Sequence, residues 1–77
     1  MSSNEQRRRY AVCIDNSGYP ESLEVRKIYQ VLSDARADRH GLARVVDDTG
    51  EDYLYPRTFF VTVALPKEVA RLFPSVE

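Results

Sequence analysis

The side chains that could carry chemistry are few and spread along the chain. There is one thiol, Cys13, and one imidazole, His40. Cys13 stands between Val12 and Ile14 with no general base nearby in the sequence, which is the setting of a small packing residue rather than a nucleophile. His40 precedes Gly41, a place where a helix-end cation is favourable. No second His or Cys stands at metal-ligand spacing from either. Asp47, Asp48, Glu51 and Asp52 form an acidic cluster that could chelate a cation, but it lacks the spacing of a calcium loop and reads as a solvated turn. Arg7, Arg8 and Arg9 form a basic run that could grip phosphates, with Tyr10 beside it as a stacking surface. No glycine-rich phosphate loop, nucleophile elbow or convergent acid–base pair is present. The chain therefore reads as non-enzymatic, with no cofactor and no metal.

Five tyrosines in 77 residues, Tyr10, Tyr19, Tyr29, Tyr53 and Tyr55, point instead to binding. Tyrosine offers an apolar body and a polar tip, and it is enriched at interfaces. In so small a domain about half of them are needed in the core.

The elements that must position these residues follow from length and pattern. The chain is one domain. At this size only about 60–65% of the unfolded surface is buried, so the core is thin. Hydrophobic residues make up 43% of the chain, enough for a core without staples, and 30% are charged. Net charge is −1, which disfavours general nucleic-acid binding. The lone cysteine fits a reducing cytoplasm. No signal peptide and no membrane span is legible: the longest apolar run, Phe59 to Leu65, is far too short.

Residues 1–8 read as a flexible arm. Arg9 to Asp15 is a strand ended by Asn16-Ser17-Gly18. Asn16 to Lys27 is an irregular excursion whose period-2 spacing turns Leu23 and Val25 inward, with one helical turn over 21–27 as the alternative. Ile28 to Leu32 is a second strand. Ser33-Asp34 caps a short helix that Gly41 ends. Leu42 to Val46 and Glu51 to Tyr55 form a hairpin across "DDTG", with Gly50 in the left-handed region. Pro56 cannot continue a central ladder, so "PRT" makes a 3₁₀ turn. Phe59 to Val63 is the fifth strand. Residues 66–74 form a short helix whose Val69, Ala70 and Phe73 cover an open barrel end.

Five short strands in this order resemble the SH3-type small β-barrel over residues 9–65. "YPRTFF" is similar to the Ile-Pro-Ser-Asn-Tyr-Val signature of SH3 domains, and "YAVCID" loosely resembles their first-strand Ala-Leu-Tyr-Asp-Tyr motif. The resemblance puts Tyr55 and Phe60 in the core and Phe59 at the groove. The chain also resembles short bacterial proteins that share the "GEDYLYP" segment, a resemblance that brings no activity with it. SH3 domains bind proline-rich peptides on an aromatic shelf with a tryptophan. This chain has no tryptophan. Ile14 and Asn16 stand where tyrosines are expected, and the acids that read a ligand arginine are only partly represented, by Asp15, Glu21 and Glu24. No proline-rich ligand is therefore expected.

The expected function is a cytoplasmic protein-interaction module whose contacts are Tyr19, Leu54, Arg57 and Phe59. The alternative is a nucleic-acid-associated barrel, carried by Arg7, Arg8, Arg9, Tyr10, Arg26, Lys27 and Arg57.

Overall fold

A computed structural model of the chain describes residues 8–73. The elements are β1 (Arg8–Cys13), β2 (Ile28–Leu32), α1 (Ala35–Arg39), β3 (Leu42–Val46), β4 (Asp52–Pro56), a 3₁₀ turn (Arg57–Phe59), β5 (Phe60–Val63) and α2 (Lys67–Ala70). The five strands form one antiparallel sheet in the order β4-β3-β2-β1-β5. The sheet is not closed: β4 and β5 stand at its two edges.

Alternation along the strands gives the sheet two different faces. On one face Cys13, Tyr29, Val45 and Tyr55 form the core with Leu23 from the long loop and Phe59 from the 3₁₀ turn. Tyr19 sits edge-on to Tyr55 and Phe59, and Phe60 lies edge-on to Tyr29. Each large buried apolar side chain contributes about 1.5–3 kcal/mol. The opposite face carries Tyr10, Gln30 and Val46, in register across three strands. Gln30 is 1% exposed, and among the described residues neither its amide nitrogen nor its oxygen has a hydrogen-bond partner.

Local chemistry sets the element ends. Ala37 N–H donates to Asp34 Oδ1 at 3.0 Å, which caps α1. Gly41 at φ 72° ends that helix, and Gly50 at φ 91° closes the β3–β4 turn; both conformations disfavour a Cβ. At the hairpin tip Asp47 Oδ1 accepts from the backbone N–H and the hydroxyl of Thr49. Pro56 ends β4 opposite Leu42 at a sheet edge, where its missing N–H breaks no internal ladder. The Arg57 N–H then donates to the Gly41 carbonyl at 2.9 Å, and Ile14 N–H donates to the Phe59 carbonyl at 2.8 Å. These two bonds fix the 3₁₀ turn between β3 and β1.

Several expectations are corrected. Phe59 and Phe60 exchange places: Phe59 is in the core at 9% exposure, and Phe60 is half-buried. The 3₁₀ turn includes Phe59 and rotates its ring inward, so the last strand begins one residue later. Val25 is exposed, because a turn at Val25-Arg26 takes it out of alternation, while Leu23 is buried as expected. Residues 21–27 are an irregular loop with no regular helix. A single turn closes earlier, where Leu23 N–H donates to the Tyr19 carbonyl at 3.0 Å. α2 is shorter than 66–74, with no buried residue, and Leu72 just beyond it is 81% exposed. Phe73 stacks on Tyr10, with ring centroids 5.1 Å apart, so this segment reaches the face opposite the core. Pro74 lies outside the described residues.

Candidate interaction sites at the two ends of the sheet

The long loop between β1 and β2 is held by its own polar groups. Asn16 Nδ2 donates to the Leu23 carbonyl at 3.0 Å, and Glu24 N–H donates to the Tyr29 hydroxyl at 3.0 Å. Arg26 takes a left-handed backbone, φ 78°, while its N–H donates to the Cys13 carbonyl at 2.7 Å. Such a conformation strains a residue with a Cβ, and the surrounding bonds must hold it. Lys27 Nζ reaches Asp48 Oδ2 at 2.6 Å and ties the loop to the hairpin tip.

Between that loop and the hairpin lies a groove lined by Tyr19, Glu21 and Ser22 on one side and by Asp47, Asp48, Thr49, Tyr53, Leu54 and Tyr55 on the other. Tyr19 is 40% exposed and Leu54 42% exposed. Tyr53 is also exposed, and its hydroxyl donates to Glu51 Oε1 at 2.6 Å. That hydrogen bond, reinforced by the carboxylate charge, pushes the Tyr53 phenol up to about 12. The Asp47 carboxyl is held below its ordinary value, first by the Thr49 hydroxyl. Lys27 is shifted upward, chiefly by its bond to Asp48. The groove is thus mixed: the rings of Tyr19, Tyr53 and Tyr55 alternate with Ser22, Thr49 and the carboxylates of Glu21, Asp47 and Asp48.

Of the four expected protein-contact residues, Tyr19 and Leu54 meet in this groove. Phe59 supports it from beneath, through its edge contact with Tyr19. Arg57 is elsewhere: it lines a second cavity at the other end of the sheet, with its Nη1 3.7 Å from Asp38 Oδ1. Glu21, Ser22, Asp48 and Tyr53 join the groove outside the four expected contacts, although the sequence reading marks Tyr53 among the binding-type tyrosines and Glu21 and Asp48 among the acids. Their signal was the pairing of an acidic turn with a tyrosine-rich return strand.

The expected phosphate-binding cations are dispersed. Arg9 lines the same cavity as Arg57. Arg26 and Lys27 are on the loop beside the acidic hairpin, with Lys27 also over the Tyr29 ring at 5.2 Å. Tyr10 is on the face opposite the core, stacked by Phe73. Arg7 lies outside the described residues.

The acidic cluster is bonded within the protein. Asp48 pairs with Lys27, and Asp52 accepts from Arg44 Nη1 at 2.6 Å. Arg44 also bridges to Asp34 at 2.7 Å. Among the described residues no three His, Cys, Asp or Glu side chains are placed to hold a metal ion. His40 Nδ1 is 3.0 Å from the Arg36 carbonyl, and Cys13 is fully buried with its thiol directed at the Asp15 carbonyl, 3.3 Å away. No described helix is long and apolar enough to cross a membrane.

Comparison of the chain with protein-family models, with curated proteins and with solved structures gives no match.

Proposed function

We propose that this protein is a protein-interaction module on an SH3-like barrel, and that its contact surface is the groove between the long loop and the β3–β4 hairpin. The observation that carries this reading is the exposure of Tyr19 and Tyr53 in one groove bordered by carboxylates, with Leu54 at its edge on the strand that turns its side chain toward α1. Exposed tyrosines in a groove suit a protein partner. The border chooses the partner's charge: Glu21 and Asp47, beside an Asp48 already paired with Lys27, favour a segment that presents Arg or Lys next to an apolar residue. The SH3-like reading is supported by the order of parts: a long loop after β1, a tight hairpin, and a 3₁₀ turn leading to a β5 that pairs with β1. The groove has no tryptophan to separate proline ridges, so proline-rich peptides are poor ligands. We place this module in the cytoplasm of a bacterial cell.

The test is titration of isotope-labelled protein with Arg/Leu-rich, Glu/Leu-rich and PxxP peptides, and separately with single-stranded RNA and duplex DNA. The Arg/Leu-rich peptide is expected to shift the Tyr19 and Leu54 amides, and Leu54→Ala to weaken it without loss of fold. Equal binding of the Glu/Leu-rich peptide would refute the charge argument. Salt-sensitive binding of RNA or DNA near physiological salt, without a peptide response, would replace the protein reading by the nucleic-acid one.

A further inference from the structure

We propose that the cavity at the other end of the sheet, away from the peptide groove, binds a small organic monoanion with an apolar body, of the class of an aryl or alkyl carboxylate. The strands themselves make the space. Ala11 and Ala43 are inward positions on β1 and β3, two residues from Cys13 and Val45 in the packed core. Ala11 stands across from Tyr29 and Ala43, itself part of the core cluster, across from Tyr55, with Val31 on the strand between them; the two short side chains leave space on the concave face beside the core. The result is a cavity of about 410 Å³, floored by Ala11, Val31, Ala43 and Phe60. That volume lies in the range of small-ligand sites, about 300–1,000 Å³, which are often found in the mouths of barrels. An unfilled apolar space forfeits dispersion contacts that a ligand's apolar body would restore.

The border gives the ligand its charge. Alternation puts Arg9 on the same side of β1 as Ala11 and Cys13, so its side chain lines the cavity with no other strand residue to neutralise it there. Arg57 comes from the 3₁₀ turn, and Asp38 from α1. Arg57 and Asp38 are 3.7 Å apart, too far for a direct hydrogen bond, so the guanidinium fork keeps donors for another acceptor. Among the described residues that line the cavity, two guanidinium groups stand against one carboxylate and leave one positive charge, which matches a monoanion. Arginine binds carboxylates through two parallel N–H···O bonds, which would orient such a ligand head-out and body-in.

The test uses three probes with one apolar body: phenylpropanoate, phenylpropanol and phenylpropylamine, with inorganic phosphate as a fourth. Phenylpropanoate is expected to give saturable shifts of the Ala11, Ala43 and Phe60 amides. Phenylpropanol should bind about tenfold more weakly or worse, the loss of one charge-assisted contact. Arg57→Gln should weaken phenylpropanoate by a similar factor. Ala43→Leu should abolish its binding while leaving the folded spectrum; if that variant does not fold, Thr62→Leu at the cavity's border blocks the same space. Equal affinity for the alcohol, preference for the amine, stronger binding of phosphate, retention of phenylpropanoate by the filled variants, or no saturable shift with any probe would each overturn the proposal. The Tyr19 and Leu54 amides should stay still throughout, so this outcome and that of the peptide titration are read separately.

Discussion

The two ends of the sheet use the same strands to opposite effect. In the packed part of the concave face the inward positions are Cys13, Tyr29, Ala43, Val45 and Tyr55, the long loop adds Leu23, and Tyr19 and Tyr53 stand exposed in the groove beside it. Beside it Ala11 and Ala43, across from Tyr29 and Tyr55, are too small to fill the concave face, and a cavity opens there that Arg9, Val31, Phe60 and Thr62 also line. Charge follows the same division: carboxylates border the groove, and Arg9 and Arg57 line the cavity. A net charge of −1 conceals this polarity. The lesson is that a thin domain does not pack its whole concave face, and the space left over lies beside the core rather than within it.

The largest test of this contrast removes the floor of the groove. Phe59→Ala deletes a ring that packs with Tyr19 and the core, and is expected to cost about 3–5 kcal/mol in urea unfolding. A cost below about 1 kcal/mol would show that the groove end is no better packed than the cavity end. The next test enlarges one residue at each end of β3. Val45→Phe has no room and should cost about 1–3 kcal/mol. Ala43→Leu enters the cavity and should be close to neutral, within about 1 kcal/mol. Equal penalties at the two positions would remove the distinction.

The reverse face of the sheet sharpens the comparison from outside. Gln30 is buried with neither amide atom partnered among the described residues, so Gln30→Met, close in size, should raise stability by about 1–3 kcal/mol in the same assay. No gain would mean that the amide is satisfied by water.

The smallest effect is that of pH. The Asp34 carboxyl is lowered from 3.8 by the Ala37 N–H it caps and by Arg44, and Asp47 is lowered by Thr49. A carboxyl lowered on folding stabilises the fold above its unfolded pKa, and that contribution is lost as pH falls through the folded value. Urea midpoints should therefore hold down to about pH 4 and decline below it. Asp34→Asn should be less stable at neutral pH and show a shallower acid decline than the parent. An unchanged acid slope in that variant would exclude Asp34 as a source.

Much of the fold was legible because punctuation and period agree along most of the chain. Asp34 with Gly41 bracketed α1, Asp47 with Gly50 set the hairpin, and Pro56 announced the 3₁₀ turn. The exchange of Phe59 and Phe60 was not legible: both are aromatic, and which one points inward depends on where the 3₁₀ turn ends, a matter of one residue. Val25 misled for a related reason, since alternation is lost wherever a turn intervenes. Closure of a barrel depends on what the edge strands meet in space, and no local signal encodes it. Of the candidate groove, Tyr19 and Leu54 were named from the sequence and are exposed along it, which turns and a return strand make legible. The cavity was missed because its makers are alanines, which carry no chemical signal until the register of β1 against its neighbours is known.

That register also puts the chain's single thiol at the center of the packed end, on the strand that holds β2 and β5 together. While β1 is in place, Cys13 can form neither a disulfide with a second molecule nor an adduct with a thiol reagent. Reagent uptake then counts openings of β1, and every molecule carries its own gauge of how often the sheet comes apart. A ligand seated against Ala11 on the same strand would slow that count, and a peptide confined to the far edge at β4 would alter it less.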